Sequence, residues 1–218
     1  MTTSKLKYIA LICMIVDHIG FFFSELHCYS ILRGIGRIAA PLFFFCFVEG
    51  YNHTHNKVKY KKRLLISSVF MFELNIVMLL FFQTIKHPLP QIINPFTPNM
   101  FFTFFIMFEI LEMIDTHNYK KIIFLLFVPF MEYNFIAFFS ILILKYISNK
   151  KIKYCIFIII NTLLCIIMND LSELYMLLSV LLLLFYNEEK GQYNSKLFYI
   201  IYPLHFYLLA FAKLLILH

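Results

Sequence analysis

Long apolar stretches alternate with short polar segments along the whole chain. A membrane-spanning helix needs roughly 20 mostly apolar residues, with a range of about 17–25. By this criterion the pattern predicts about nine spans, with eight and ten as the neighbouring counts. The chain is therefore predicted to be an all-α, polytopic membrane helical bundle. The predicted spans are Leu6–Phe23, Ile31–Gly50, Leu64–Phe82, Asn99–Ile114, Lys121–Phe130, Glu132–Ile147, Ile152–Met168, Leu171–Tyr186 and Leu197–Leu217.

The fifth predicted span is too short to cross a bilayer comfortably. It ends at Phe130, directly after Pro129, and proline cannot continue a helix without a break. The stretch Lys121–Ile147 therefore contains either a half-helix followed by a span or one long kinked segment. The first span reaches Phe23 without a small-residue cleavage motif, so we expect it to be retained.

Composition supports the membrane interpretation. The 218 residues are 61% hydrophobic and 14% charged, and the mean hydropathy is +0.80. A soluble domain is usually about 45–50% apolar and about 25% charged. This excess of apolar residues is too large for one water-soluble core. Because no linker or repeat divides the chain, we expect one integral-membrane domain over residues 1–218.

Positive charges are concentrated in every second predicted loop. Cytoplasmic loops carry an excess of Lys and Arg, so the N-terminus is predicted to be cytoplasmic in a multi-pass protein of a bacterial plasma (inner) membrane. This pattern explains much of the net charge of +7 without a nucleic-acid partner. The positive loops contain Lys5, Lys7, Lys57, Lys59, Lys61, Lys62, Arg63, Lys120, Lys121, Lys150, Lys151, Lys153, Lys190 and Lys196.

Polar residues fall at similar depths in several predicted spans. With a rise of about 1.5 Å per residue, most lie near the middle of a hydrocarbon core about 30 Å thick. Ionisable groups at this depth usually mark a site or a pathway, whereas the alternative is a set of buried bonds that hold the helices together. The residues concerned are Asp17, His18, Arg33, Arg37, Glu73, Asn75, Glu109 and His205.

Asp17 and His18 are adjacent, and neighbouring residues of a helix point about 100° apart. Asp17 is therefore expected to pair with Arg37, or with Arg33 one turn earlier on the same face, which leaves His18 to face a cavity. Pro203 lies just before His205, where it predicts either a kinked site wall or an ordinary kink in a membrane helix.

Two loop features allow weaker predictions. Residues Asn52–His55 contain two histidines, but no nearby Cys or carboxylate completes a ligand set, so no metal site is predicted. The basic run Lys57–Arg63 suits the phosphates of an anionic cofactor or membrane lipid. Membrane topology alone would also require such a run.

Five stretches resemble the TraX family, whose founding member N-acetylates the pilin of conjugative plasmids. Ala40 and Asn134 stand where we expect Phe and Gly. The family resembles a wider group of transmembrane acyltransferases that includes the acyltransferase-3 family and lysosomal heparan-alpha-glucosaminide acetyltransferase. The matching stretches are LKYIALICMIVDHIG, LRGIGRIAAPLFFFCFVEGYNHTHNKVKYKKRL, NMFFTFF, MEYNFIAFFSILILKY and FYIIYPLHFYLL.

The resemblance implies transfer of an acetyl group from cytoplasmic acetyl-CoA to an amine or hydroxyl of a peptide, a pilin or a glycan. His18 would act as general base or carry the acetyl group, with Asp17 and Arg37 beside it. His205 would complete the catalytic set. Cofactor contacts are expected from Arg33, Glu49, His53, Lys57, Lys59 and Arg63. Substrate contacts are expected from Glu73, Asn75, Glu109 and Tyr202.

Two other functions fit the same residues. A proton-coupled transporter could use Asp17, Glu73, Glu109 and the histidines as a relay, although no inverted repeat is visible. A non-catalytic membrane subunit of a conjugation or secretion system is the third hypothesis. An oligomer is compatible with all of them.

Overall fold

The computed structural model describes residues 1–84, 98–167, 169, 171–192 and 195–216. All regular elements in these ranges are helices, which confirms the predicted fold class. Two segments, Tyr119–Phe130 and Leu171–Leu178, are 3-10 helices. The α-helices are α1 (Thr3–Phe22), α2 (Tyr29–Arg37), α3 (Ala39–His53), α4 (Lys57–Thr84), α5 (Met100–Thr116), α6 (Asn134–Tyr146), α7 (Lys150–Ile167), α8 (Ser179–Leu184) and α9 (Ser195–Ile216).

Three described helical stretches are long and apolar enough to cross a membrane. They are Tyr29–His53, which joins α2 and α3, then Lys57–Thr84 and Leu197–Ile216. Asn134–Tyr146 and Leu174–Leu184 are apolar but shorter. The chain is thus a helical membrane protein, and the count of about nine crossings stays a prediction. The ends of the seventh and the last predicted spans, at Met168 and Leu217, lie outside the described residues.

The region around Pro129 is divided, as the sequence allowed. The 3-10 helix Tyr119–Phe130 contains Pro129 and ends one residue later, and α6 begins only at Asn134. Proline lacks the N–H that would continue the hydrogen-bond ladder. Long 3-10 runs are uncommon because their hydrogen bonds are less well aligned. Of the two sequence interpretations, the structure therefore favours a short segment followed by a separate helix.

The chain divides into two compact units. The first contains Met1–Gly50 and Phe139–His218, and the second contains Tyr51–Phe138. The first unit thus holds α1, α2, α7, α8, α9 and most of α3 and α6. The second holds α4, α5 and the 3-10 helix Tyr119–Phe130. Whether both units form one functional domain, as the sequence predicts, stays a prediction.

In the first unit, α1 and α2 form an antiparallel hairpin whose helices approach closely at two glycines. A Cβ atom on Gly20 would lie 2.8 Å from the Cβ of Leu32, and one on Gly36 would overlap the side chain of Asp17. Small residues at such crossings let membrane helices approach closely. The glycines therefore bring Asp17 directly against α2.

In the same unit, α9 runs parallel to α1. The rings of Tyr8 and Phe198 lie near the start of both helices, with centroids 5.5 Å apart. At the other end, Lys213 pairs with Glu25 in the loop after α1. Between these two contacts, the last turns of α1 face the middle of α9, where the ring of Phe22 packs against that of Phe206.

The N-terminus is bound to the segment that follows α8. The amide of Thr3 donates to the carbonyl of Glu189 at 2.8 Å, and that of Ser4 donates to the carbonyl of Lys190 at 3.0 Å. The amide of Asn187 donates to the carbonyl of Met1 at 3.0 Å. These bonds place both segments at one end of the first unit, in agreement with the predicted alternation of loops.

We expect Gly36→Ala to lower the thermal midpoint of the purified protein in detergent, because the added methyl group overlaps Asp17. Overpacking of this kind typically costs about 1–3 kcal/mol. Gly34→Ala is the matched control: its Cβ would lie 3.3 Å from the ring of Tyr175, a side chain that can shift. Equal midpoints for the two variants would contradict the close approach of α1 to α2.

Candidate functional site

Two histidines from opposite ends of the sequence meet between α1 and α9. Nε2 of His205 lies 2.9 Å from Nδ1 of His18, within hydrogen-bond distance. Nδ1 of His205 lies 2.8 Å from the carbonyl oxygen of Ile201, one turn earlier in α9. The ring of Phe206 packs edge-on against His18. The structure thus brings the two predicted catalytic histidines into direct contact.

His205 lies on α9 beside Pro203 and Tyr202. Pro203 lies inside the helix, which continues from Ser195 to Ile216. His205 is buried, with 8% of its surface exposed, and the ring of Tyr202 lies 6.1 Å from it, centroid to centroid. Tyr202 also packs against the apolar cluster that contains Leu11. These neighbours form a largely apolar wall around the histidine pair.

Asp17 forms an ion pair with Arg33 beside the histidines. Nη1 of Arg33 lies 2.6 Å from Oδ2 of Asp17, and both side chains are largely buried. The other carboxylate oxygen, Oδ1, is buried and makes no hydrogen bond within the described residues. The positive charge of Arg37 also acts on Asp17.

Arg33, one of the two expected partners, thus forms the hydrogen-bonded ion pair with Asp17, and the charge of Arg37 acts on the same carboxylate. Gly36 is the point of α2 that Asp17 touches. Arg33 and Arg37 are four residues apart and lie on nearly the same face of α2, with Gly36 between them in sequence. As the angle between neighbouring residues predicts, Asp17 faces α2 whereas His18 faces α9.

Glu49 lies in a different part of the first unit. Its Oε2 accepts a hydrogen bond of 2.7 Å from the hydroxyl of Tyr186. That hydroxyl is also 3.0 Å from Oγ1 of Thr3. Glu49 thus helps to connect α3 with the N-terminus, and its predicted contact with the cofactor stays a prediction.

The remaining predicted site residues belong to the second unit. Lys57–Arg63 form the first turns of α4, not a loop, because Asn56 caps the helix: its Oδ1 accepts from the amide of Lys59 at 2.8 Å. Nζ of Lys57 lies 3.9 Å from Oδ2 of Asp115. His53 ends α3 and is exposed, as is Arg63. Glu73 is exposed on α4, and Asn75 is buried.

Glu109 lies in an ionic cluster, which sequence reasoning missed. Nζ of Lys61 lies 3.0 Å from Oε1 of Glu109 and 2.8 Å from Oε2 of Glu112. Lys121 reaches Glu109 at 2.5 Å and also pairs with Glu112. The spacing of the two glutamates, three residues apart in a helix, was the signal that both share one face. Glu109 is thus paired with two lysines that the sequence analysis placed in loops, and its predicted contact with the substrate stays a prediction.

Lys121→Met is expected to destabilise the second unit, because it removes one cation from Glu109, of which only 8% of the side chain is exposed. Breaking a buried ion pair from one side typically costs about 3–5 kcal/mol, and Lys61 offsets part of this. Lys120→Met is the control, since Lys120 is exposed. Thermal unfolding in detergent measures both. An unchanged midpoint for Lys121→Met would contradict a stabilising cluster.

Within the described residues, no group of three or more His, Cys, Asp or Glu side chains is placed to hold a metal ion. The ionisable groups that the structure brings together between α1, α2 and α9 are the histidine pair and the adjacent ion pair. A neutral imidazole can accept a proton, and a guanidinium can stabilise developing negative charge.

The fold and this site define an all-helical membrane protein with ionisable groups enclosed between its helices, an arrangement that usually has a functional purpose. The family model described as TraX protein matches residues 2–213. This chain therefore belongs to the TraX family.

Two curated relatives match a shorter region. Probable fimbrial assembly protein FimC, serogroup H1, of Dichelobacter nodosus is 42% identical over 67 residues, which are 30% of this chain and 28% of that protein. Uncharacterized protein RP591 of Rickettsia prowazekii (strain Madrid E) is 45% identical over 67 residues, 30% of this chain and 24% of that protein. The aligned region is thus about a quarter of the length of each relative. No solved structure matches the chain.

Proposed function

We propose that this protein is an integral-membrane acetyltransferase that moves an acetyl group from acetyl-CoA to an amine or hydroxyl acceptor. The observation that carries the proposal is the hydrogen bond between His18 and His205 beside the ion pair of Asp17 and Arg33. It supplies a buried base and a positive charge at one place. Membership of the TraX family supports the choice of reaction.

In the proposed reaction, a ring nitrogen of His18 accepts a proton from the acceptor. The acceptor nitrogen or oxygen forms a bond to the acetyl carbonyl carbon, and the carbon–sulfur bond of the thioester breaks. His18 then gives the proton to the departing sulfur, which yields the thiol of CoA. The arginines stabilise the negative charge that develops on the carbonyl oxygen.

The acceptor is proposed to be a peptide N-terminus, with an amino sugar or other glycan as the alternative. One relative carries the name of a fimbrial assembly protein, which favours a pilus-related peptide. The predicted donor contacts, Arg33, Glu49, His53, Lys57, Lys59 and Arg63, are part of this proposal. Cationic side chains among them suit the phosphates of CoA.

We further propose about nine crossings of a bacterial inner membrane, with the N-terminus in the cytoplasm. The parallel arrangement of α1 and α9 supports an odd number of crossings, because parallel spans at the two ends of a chain leave its termini on opposite sides. The bonds between the N-terminus and residues 187–190 support a shared side for these segments.

On intact cells, a membrane-impermeant maleimide is expected to label Cys28, an exposed residue between α1 and α2 that the proposed topology places outside. Lys59→Cys in a background with Cys28→Ser and Cys155→Ser is expected to stay unlabelled until the cells are permeabilised, because the proposed topology places it on the cytoplasmic side. The reverse pattern would contradict the orientation and with it the cytoplasmic entry of acetyl-CoA.

The proposed activity is tested by incubating the purified protein with acetyl-labelled acetyl-CoA and a panel of peptide and amino-sugar acceptors. An acetyltransferase releases CoA thiol only when an accepted acceptor is present. The histidine contact also fits a proton path, so reconstituted vesicles with a pH gradient are the parallel assay. Proton-coupled transport without CoA release would favour the transporter hypothesis instead.

A further inference from the structure

The His205 ring contacts a different kind of group at each nitrogen. The carbonyl oxygen of Ile201, 2.8 Å from Nδ1, can only accept a hydrogen bond. Nδ1 of His205 must therefore carry the hydrogen and donate it. A neutral imidazole has one N–H, so Nε2 of His205 is then the acceptor nitrogen. Burial favours this neutral form, because a charge removed from water without a counter-charge is costly.

The same argument extends to His18. Its Nδ1 lies 2.9 Å from the acceptor nitrogen of His205, so the hydrogen on Nδ1 of His18 must be donated across this contact. The neutral ring of His18 then has its lone pair on Nε2. The fixed carbonyl of Ile201 thus determines, through two rings in sequence, which nitrogen of His18 can accept a proton.

We propose that His205 is a positioning residue that holds His18 in the Nδ1–H tautomer, so that Nε2 of His18 is the atom that takes the proton from the acceptor. This inference rests on the proposed acetyl transfer for its chemical role, but the tautomer itself follows from the hydrogen bonds alone. It identifies the reacting atom, which the sequence does not.

The hydrogen bond from His18 to His205 becomes stronger when His18 is protonated. Once Nε2 has taken a proton from the acceptor, His18 is a cation whose Nδ1–H donates to a neutral nitrogen of His205. Hydrogen bonds from a charged donor are roughly twice as strong as those between neutral groups. His205 therefore stabilises His18 more strongly after proton transfer than before it, which is the requirement for catalysis.

Side-chain geometry provides a selective test of this role. The amide oxygen of His205→Gln can occupy the position of the imidazole Nε2 and accept the bond from His18. His205→Ala removes that acceptor. The control is Leu208→Ala on an exposed part of α9. All three variants are compared with the wild-type protein by thermal unfolding before any activity is read.

The first measurement is independent of acetyl transfer. Nitrogen-15 NMR of histidine-labelled protein in lipid distinguishes protonated from unprotonated ring nitrogens, and the His18 resonances are assigned by their loss in His18→Asn. We expect Nδ1–H in the wild-type protein and in His205→Gln, and a mixture of tautomers in His205→Ala. A hydrogen on Nε2 of His18 in the wild-type protein would overturn the inference.

The second measurement is the rate of acetyl transfer. His205→Ala is expected to lower kcat by about tenfold to a hundredfold with little change in KM, and His205→Gln to recover most of the loss. Equal kcat in the two variants would overturn the positioning role. If the wild-type protein transfers no acetyl group while NMR shows the Nδ1–H tautomer, the proposed function fails and the tautomer assignment stands.

Discussion

Replacing His18 is expected to abolish acetyl transfer while the protein still folds. His18→Asn is the sharpest variant, because its amide can lie near the position of Nδ1 and keep the bond to His205, but nothing replaces Nε2. General-base assistance contributes about a hundredfold to ten-thousandfold in rate, and the loss is expected in that range. His18→Ala should lose at least as much.

The measurements are the initial rate of CoA release, thermal unfolding and the shift of the midpoint by acetyl-CoA. Ile12→Ala on an exposed part of α1 is the control and should keep the wild-type rate. A folded His18→Asn protein that transfers acetyl groups at the wild-type rate would rule out His18 as the base. A loss of folding in both His18 variants, with Ile12→Ala intact, would indicate that the histidine pair only holds the helices together.

The second large effect is expected on stability, from the pair of Asp17 and Arg33. Breaking a buried ion pair from one side typically costs about 3–5 kcal/mol, because the remaining charge is stranded. Asp17→Asn and Arg33→Gln should each lower the free energy of unfolding in this range. The double variant should lose less than the sum of the two, because it strands no charge.

Denaturant unfolding in mixed micelles measures the free energy of unfolding of the wild-type protein, the two single variants and the double variant, which together form a double-mutant cycle. Lys150 and Glu188, 2.6 Å apart and exposed, form the control pair, and Glu188→Gln should change little since exposed pairs contribute little. Additive losses for Asp17 and Arg33 would contradict the ion pair. The same cycle with Arg37→Gln measures how strongly Arg37 is coupled to Asp17.

The sequence predicted which residues lie at a common depth better than it predicted which of them contact each other. Depth along a helix follows from a constant rise per residue, so the common height of His18 and His205 could be computed from span boundaries alone. Rotation about the helix axis depends on packing. Gly36 lets Asp17 approach α2 closely beside Arg33, and a single sequence does not reveal that contact.

The sequence analysis assigned the charged residues near helix ends to the wrong kind of structure. Lys61 and Lys121 were assigned to loops because they flank apolar runs, yet long lysine side chains reach back along a helix and pair with Glu109. Likewise, Lys57–Arg63 belong to α4 because Asn56 provides a cap. The cap involves only residues close in sequence, whereas the lysine–glutamate contacts require the antiparallel packing of separate elements.

The fold class was predictable because the length of the apolar stretches indicates membrane-spanning helices. The excess of apolar residues and their grouping into runs exclude a soluble domain. The number of crossings is harder to predict, because short segments such as Tyr119–Phe130 and Leu171–Leu178 are too short for a standard span. Their 3-10 geometry depends on the neighbours against which they pack.

The central claim is that this chain transfers acetyl groups from CoA to an acceptor through His18. The most direct measurement is the stoichiometry of the reaction with purified wild-type protein: CoA thiol released against acetyl groups recovered on the acceptor by mass spectrometry. The account predicts one acetyl group on the acceptor for each thiol, and formation of both products at least about a hundredfold more slowly with folded His18→Asn. Absence of both products with the folded wild-type protein across the acceptor panel, or equal products with the His18→Asn protein, would contradict it.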